Sequence, residues 1–296
     1  MSGHQYFRKP PDLDKEVEHL VQLVLKDAST DQRNHSGSAQ SKDSTAQVHI
    51  ITHVDRRVEP VIQNGPMCGL VALTMAYTML GGCCTGASDD KAHPEALLQA
   101  VKEHKMSKNG EIFAVEYLED IARDHLQCQA EVVELVSVDV LDVILQGKAL
   151  LVPYDADKDH TPCLEKGHKA HWCLLVGFAV VLSSSFDNPF ILQCCSSGSS
   201  LPGHLVVRED QKASVLGNKA TLMQSAAQLY VFTRHGKSTH LGLWKLTSLL
   251  ESNGNLVEMD PKRTRPGEYV IPDGGIEKGL SGKALIVSNP VEQSWT

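Results

Sequence analysis

Helical periodicity and strand-like runs are segregated along this chain of 296 residues, and their order restricts the folds that it can adopt. Helical spacing dominates the first half, as in Leu70, Leu73, Tyr77 and Leu80. Strand-like runs follow: ALLVPY (149–154), WCLLVGFAVVL (172–182), FILQC (190–194), AQLYVFT (227–233), EYVIP (268–272) and ALIVS (284–288). Because helices and strands do not alternate as in βαβ units, we predict an α+β domain whose leading helices pack on an antiparallel sheet.

The first half contains one strand-like exception among several predicted helices. Helical spacing predicts a helix that begins at or near Cys68 and stops at Gly81-Gly82, and three further helices over residues 94–104, 112–126 and 138–145. Residues 127–134 alternate as a half-buried strand would.

The N-terminal part is predicted to be separate from the main domain. A short amphipathic helix follows Pro10-Pro11, and residues 28–47 contain no large apolar side chain, which predicts a flexible linker. We therefore divide the chain into an N-terminal helix and linker (1–47), a main domain (48–290) and a C-terminal tail (291–296). Within the main domain, the polar stretch 196–225 is interpreted as a surface insertion.

Charge and cysteine content exclude several classes of protein. The net charge of -8 argues against a general binder of nucleic acids or anionic membranes, since both partners require a basic surface. The longest apolar run, 173–182, is about half of the ~20 residues that span a bilayer. Eight cysteines, with adjacent pairs at 83–84 and 194–195, indicate free thiols. We expect a cytoplasmic protein with no membrane or nucleic-acid partner.

The strongest candidate for chemistry lies in QNGPMCGLVALTMAYTML, residues 63–80. Cys68 follows a Gly65-Pro66 turn and begins a helix, where unsatisfied backbone N–H groups favour the thiolate. We therefore expect the pKa of the Cys68 thiol to lie below that of a free cysteine. Gln63 can place a side-chain amide beside the sulfur, so that it and the Cys68 N–H would form a two-donor oxyanion hole. The alternative is a small, buried and inert thiol.

A nucleophilic thiol also requires a proton shuttle, and His171 is the candidate. It immediately precedes a strongly apolar strand that would hold its ring rigidly, and Trp172 would shield the site. His168 is the competitor for this role. A third residue that orients His171 could be Asp187, Asn188 or a residue near His235, and the sequence does not choose among them.

Two other sequence patterns suggest a binding site. His160, Cys163, His168 and His171 could form a structural zinc site, but their spacings do not reproduce the ligand pairs of known zinc modules. We therefore expect no metal and no other cofactor. Gly236-Lys237-Ser238 is not a phosphate loop, because Val231 stands where that loop requires glycine. We interpret it as a tight turn that could border the site.

The sequence resembles the actin maturation proteases, which are cysteine peptidases with a papain-like, bacteriocin-peptidase-like catalytic domain. The matching blocks are QNGPMCGLVAL around Cys68, LLVPYDADKDHTPCLEKGHKAHW ending after His171, HGKS at 235–238, LWKLTSLLESNGNL at 243–256, and YVIPDGGIEKGLSGKALIV near the C-terminus. The resemblance implies a cysteine aminopeptidase that removes the N-acetylated Met or Cys residue from immature actin. It does not decide between Met and Cys.

The resemblance also implies roles for individual residues. Cys68 would attack the first peptide carbonyl, Gln63 would help to hold the oxyanion, and His171 would protonate the departing amine. The basic residues Lys166, His168 and Lys169 would bind the acidic N-terminus of actin.

One feature of the family is missing. Vertebrate-type members carry a proline-rich segment suited to profilin docking, whereas this chain has only Pro10-Pro11, so recruitment of profilin–actin by polyproline is not expected. The alternatives are a Cys/His hydrolase that acts on another protein N-terminus or an isopeptide, and a non-catalytic, actin-binding or zinc-stapled module.

Overall fold

A computed structural model of the chain shows a mostly antiparallel sheet with helices against both faces. It describes residues 9–35, 48–82, 90–183, 193–197, 201–263 and 267–289, together with Tyr6 and Pro189. In these ranges, none of the helices combines the length and the apolarity that a membrane span needs.

The elements are numbered in chain order. The helices are α1 (Leu13–His35), α2 (Cys68–Met79), α3 (Pro94–Glu103), α4 (Val115–Asp120), α5 (Val140–Leu145), α6 (Lys212–Gly217), α7 (Lys219–Gln224), α8 (Leu246–Gly254) and α9 (Gly275–Leu280), and a π-helical turn (Ile121–His125) continues α4. The strands are β1 (Ile50–Val54), β2 (Gln129–Glu134), β3 (Ala149–Asp155), β4 (Ala170–Leu182), β5 (Ser196–Ser197), β6 (His204–Val206), β7 (Ala226–Arg234), β8 (Gly242–Lys245) and β9 (Lys283–Ser288).

Strand β4 is the centre of the sheet because it pairs with three other strands. Its first half pairs antiparallel with β3 and its second half with β1, while β7 lies along the opposite edge. The order on the first side is β2-β9-β3-β4-β1-β6-β5, and β8 pairs with β7 on the other side. Only the β1–β6 pair among these is parallel.

Both faces of the sheet are covered by apolar helices. Leu174 and Val176 of β4 belong to one core with α1–α4, whereas Cys173 and Leu175 belong to a second core with α5–α8. A strand that is buried on both faces is apolar at consecutive positions, which explains the long run in β4. The prediction of leading helices on an antiparallel sheet is confirmed for the first layer, but the sequence did not reveal the second layer.

Most of the predicted elements are confirmed. Helix α2 begins at Cys68, and β2, β3, β4, β7 and β9 occupy predicted strand positions. The strand predicted over 268–272 is wrong: this segment is irregular, and Tyr269 packs edge-to-face on Phe113. The strand predicted over 190–194 lies largely outside the described residues, and residues 193–194 are not in a strand.

The interpretation of residues 196–225 as a surface insertion is wrong. This stretch supplies β5 and β6, and β6 pairs with β1 so that the sheet is extended. Helices α6 and α7 then bury Val215 and Leu222 in the second core. These few buried apolar residues could not be recognised in a stretch whose composition is mostly polar.

The N-terminal helix packs against the main sheet. Helix α1 continues through His35, further than the sequence predicted, and buries Val21 and Val24 in the first core. Tyr6 is also buried there, and its hydroxyl donates to Glu95. Residues 36–47 and 290–296 lie outside the described residues, so the proposed division into 1–47, 48–290 and 291–296 stays a prediction.

Gly177 is expected to be indispensable where β1 pairs with β4. A Cβ atom at this position would lie 2.0 Å from the His53 carbonyl oxygen, and a backbone atom in a sheet cannot move aside cheaply. We expect Gly177→Ala to lower the free energy of unfolding by at least about 1–3 kcal/mol, the usual cost of overpacking. The matched control is Gly217→Ala, whose Cβ would have no heavy atom within 4 Å. Equal melting temperatures for the two variants would contradict this account.

Candidate active site

Cys68 is the first residue of α2, and it lies at the base of a cavity. The chain reaches it through Gly65, which has a φ of 81° in the left-handed region that glycine tolerates. Cys68 is partly exposed, whereas most of the helix behind it is buried. Cys68 therefore stands at the end of a rigid element, where it lines the cavity.

Cys68 lies beside the start of the central strand. The backbone N–H groups of Trp172 and Gly69 are close enough to the Cys68 sulfur to favour the thiolate and lower the pKa of the thiol. Trp172 pairs with Pro153 of β3, and the pairing of β7 with β4 starts only at Leu174. Strand β7 therefore does not cover the edge of β4 at Trp172, next to His171.

The cavity above Cys68 has a volume of about 230 Å³ and contains the predicted site residues. Its lining includes Gln63, Cys68, Ile112, Phe113, Asp157, His160, His168, Lys169, His171, Trp172, Lys237 and Met259. The structure thus brings the predicted nucleophile, base and oxyanion donor to one space. Lys166 is the predicted binding residue that does not line it.

His171 lies in a cluster of aromatic rings. The Tyr154 ring meets it edge-on at 5.8 Å between centroids, and the rings of His160 and His235 each lie at 5.7 Å. His171 is 7% exposed, and its Nε2 atom is buried with no hydrogen-bond partner among the described residues. A basic nitrogen is thus held in the site and is not used for folding.

The histidine cluster keeps the imidazole of His171 neutral. Burial, followed by repulsion from His235 and His160, lowers the pKa of His171 well below its usual value. Burial and the charge of neighbouring His160 lower the pKa of His235 to about 4. At neutral pH, His171 is therefore able to accept a proton.

The expected depression of the Cys68 pKa is wrong. Burial raises the pKa of the Cys68 thiol to about 11, although N–H donors from Trp172 and Gly69 and the charge of Lys237 oppose the rise. The helix N-terminus does favour the thiolate, but desolvation outweighs it. Cys68 and His171 are thus a neutral thiol and a neutral imidazole at rest.

Gln63 is held against the turn that contains Gly236. Its backbone N–H donates to the Gly236 carbonyl at 2.8 Å, and its side-chain N–H donates to the Gly65 carbonyl. A Cβ atom on Gly236 would lie 2.9 Å from the Gln63 Oε1 atom. The HGKS motif at 235–238 is therefore a turn, and it supports the proposed oxyanion donor.

The predicted basic patch is already paired with carboxylates. Lys166 Nζ and His168 Nε2 lie 3.3 and 3.0 Å from the Glu258 Oε1 atom. Lys169 Nζ lies 3.9 Å from the Glu165 Oε2 atom. These residues are close together as predicted, but much of their charge is balanced within the protein.

The buried carboxylate of Asp155 organises the loop that leads to His171. It accepts hydrogen bonds from the backbone N–H groups of Glu165 and Lys169, while the Asp155 carbonyl accepts from Cys163. Asp155 could not be recognised from a sequence motif, because its role depends on contacts formed after folding.

The structure describes part of the chain that could supply a third catalytic residue. Asp187 and Asn188 lie outside the described residues, whereas His235 packs beside His171. His160, which the sequence suggests only as a zinc ligand, stacks on His171 at an interplanar angle of 28°. No local pattern in the sequence places it there.

The proposed zinc ligands do not converge in the structure. In the described ranges, which include His160, Cys163, His168 and His171, no group of three or more His, Cys, Asp or Glu side chains is placed to hold a metal ion. His168 instead pairs with Glu258.

Comparisons with known proteins agree with the sequence resemblance. The family described as actin maturation protease-like, C-terminal domain, matches residues 58–179, which contain both Cys68 and His171. No solved structure matches the chain.

Curated relatives from several animals carry the name actin maturation protease. The mouse (Mus musculus) protein is 36% identical over 76% of this chain and 61% of its own length. The Drosophila melanogaster protein is 33% identical over 80% of this chain and 71% of its own, and the Danio rerio protein is 31% identical over 80% and 74%. The chain thus spans between about three fifths and three quarters of these relatives. It belongs to the actin maturation protease family.

Proposed function

We propose that this protein is a cysteine aminopeptidase that removes the N-acetylated Met or Cys residue from immature actin. The observation that carries the proposal is that Cys68 and His171 line one cavity. The name of the relatives supports actin as the substrate and proteolysis as the reaction. The cytoplasm is the expected compartment.

The first step joins the thiol to the substrate. His171 takes the proton of the Cys68 thiol as the sulfur attacks the carbonyl carbon, so that a C–S bond forms and the carbonyl electrons move to oxygen. The Cys68 N–H and the Gln63 amide N–H stabilise this oxyanion. The imidazolium then gives its proton to the amide nitrogen, the C–N bond breaks and the shortened actin leaves. Water, activated by His171, hydrolyses the thioester.

Burial of Cys68 and His171 slows formation of the thiolate but favours protonation of the leaving amine. A thiol with a raised pKa is a reluctant proton donor, which slows formation of the thiolate. A buried imidazolium with a lowered pKa is a strong acid, which favours protonation of the leaving amine. Because amide hydrolysis requires the amine to leave as a neutral molecule, this arrangement suits a peptidase.

The size and lining of the cavity suit one apolar residue whose amino group is acetylated. Its volume lies below the range of about 300–1,000 Å³ that is common for drug-sized ligands. Ile112, Phe113 and Trp172 supply apolar walls, and the Trp172 ring is fixed by its N–H donating to the Ile112 carbonyl at 3.2 Å. An N-acetylated Met or Cys carries no charge, so it can enter such a space without a buried counter-ion.

The alternative functions keep parts of the same site. A Cys/His hydrolase that acts on another protein N-terminus or on an isopeptide would use the same residues, so the substrate must be tested directly. A zinc-stapled, non-catalytic module has no support from the described residues, since they hold no metal-binding group.

The decisive variant is Cys68→Ala, tested in cells that lack their own copy of the enzyme. We expect actin to keep its acetylated first residue, because no nucleophile is left to form the thioester. Mass spectrometry of actin N-termini is the measurement. Cys163→Ala removes a comparable thiol that does not line the cavity, and it should process actin normally. Equal processing by Cys68→Ala and the wild type would refute the assignment.

The role of Gln63 predicts a loss of turnover with little loss of binding. We expect Gln63→Ala to lower kcat on an N-acetylated actin peptide by roughly 10²–10³-fold with little change in KM, because the lost bond forms only with the oxyanion. Asn64→Ala is the matched control, since this adjacent amide does not line the cavity. A loss of less than about threefold would show that other groups hold the oxyanion.

The raised pKa of Cys68 predicts an unusual pH dependence of alkylation. Iodoacetamide reacts with the thiolate, and the pKa of the Cys68 thiol is about 11. The thiolate fraction at Cys68, and with it the rate of labelling, should therefore still rise between pH 8 and 10. The thiol of a short peptide that contains one cysteine and no charged residue has a pKa of about 8.5, so its labelling should level off toward pH 10. Peptide mapping by mass spectrometry gives the rate at Cys68 alone. A plateau below pH 8 would instead show a preformed thiolate.

A further inference from the structure

We propose that Lys237 binds a carboxylate side chain of the substrate on the C-terminal side of the scissile bond, and that the departing chain leaves across this lysine into an adjoining cavity. The inference rests on the proposed function, because it names the specificity of the same site. It assigns a role to the HGKS turn that the chemical steps do not use.

Lys237 is the cation at the cavity that the protein leaves unbalanced. In the described part of the chain, no carboxylate lies within ion-pair distance of its ammonium group, whereas Lys169 and His168 have such partners. Its side chain is exposed, so an unpaired charge costs little in the absence of substrate. A carboxylate that arrives with the substrate would supply the missing counter-charge.

Two acidic residues at the same cavity hold their own loops. Asp157 accepts hydrogen bonds from the backbone N–H groups of Asp159 and Thr161 and from the Thr161 hydroxyl. Asp260 accepts from the Lys262 N–H. These two carboxylates therefore stabilise turns of their own.

The position of Lys237 is fixed by its turn. Its backbone N–H donates to the His235 Nδ1 atom at 3.3 Å, and the preceding Gly236 packs directly against Gln63. Lys237 thus directly follows the residue that contacts Gln63, the proposed oxyanion donor. The ammonium group is also close enough to lower the pKa of His171 and of Cys68.

Two cavities meet at Lys237. A second, more open cavity of about 550 Å³ is lined by residues 158–161 and by residues from 235 to 244, and it shares His160 and Lys237 with the active-site cavity. A small cavity that holds the acetylated residue leaves no room for the rest of the substrate. The second cavity provides the adjacent path, with Lys237 at the junction.

The test compares two N-acetylated peptides that differ only in having Asp or Asn immediately after the scissile bond. We expect the wild-type enzyme to prefer the Asp peptide by about tenfold in kcat/KM, as one charge-assisted hydrogen bond predicts. Lys237→Met should lose this preference, because it slows the Asp peptide about tenfold more than the Asn peptide. Lys237→Arg should keep most of it, and added salt should weaken it in the wild type.

The control is Lys102→Met, which removes the same charge from an exposed position of α3. It should cleave both peptides as the wild type does. Equal rates on the two peptides for the wild type, or an equal loss on both in Lys237→Met, would overturn the inference while the proposed function stands. A wild type that cleaves neither peptide would overturn the proposed function and this inference with it.

Discussion

The site depends on the approach of the Trp172 backbone N–H to the Cys68 sulfur, which favours the thiolate. The edge of β4 is open at this residue because the pairing of β7 with β4 begins only at Leu174. A β7 strand that continued along β4 to Trp172 would have covered this edge. The start of α2 therefore lies against the strand next to His171, which is one residue earlier in β4.

Burial on both faces of the sheet gives the site its rigidity and also its electrostatics. The same packing that holds β4 between two helical layers removes water from His171 and from the Cys68 sulfur. Desolvation then disfavours both charged forms, so that the thiolate–imidazolium pair is not the resting state. The charge separation forms during the reaction, when fixed N–H donors are already in place to stabilise it.

The sequence predicts those features that depend on local pattern. The position of Cys68 at a helix start and of His171 at a strand entrance follow from turns and apolar spacing, and the structure agrees with both. Burial, strand partners and ion pairs depend on residues far apart in the chain. For this reason the raised thiol pKa, the parallel pairing of β6 with β1 and the pairing of Lys166 with Glu258 could not be derived from the sequence.

The turn at 235–238 couples chemistry to recognition. Gly236 can lie against Gln63 only because it has no side chain, and this contact holds the proposed oxyanion donor against the turn that carries Lys237. A carboxylate bound by Lys237 would therefore anchor the substrate at a point fixed relative to the oxyanion hole. Binding energy remote from the reacting bond would then serve to position that bond, which raises turnover and not only affinity.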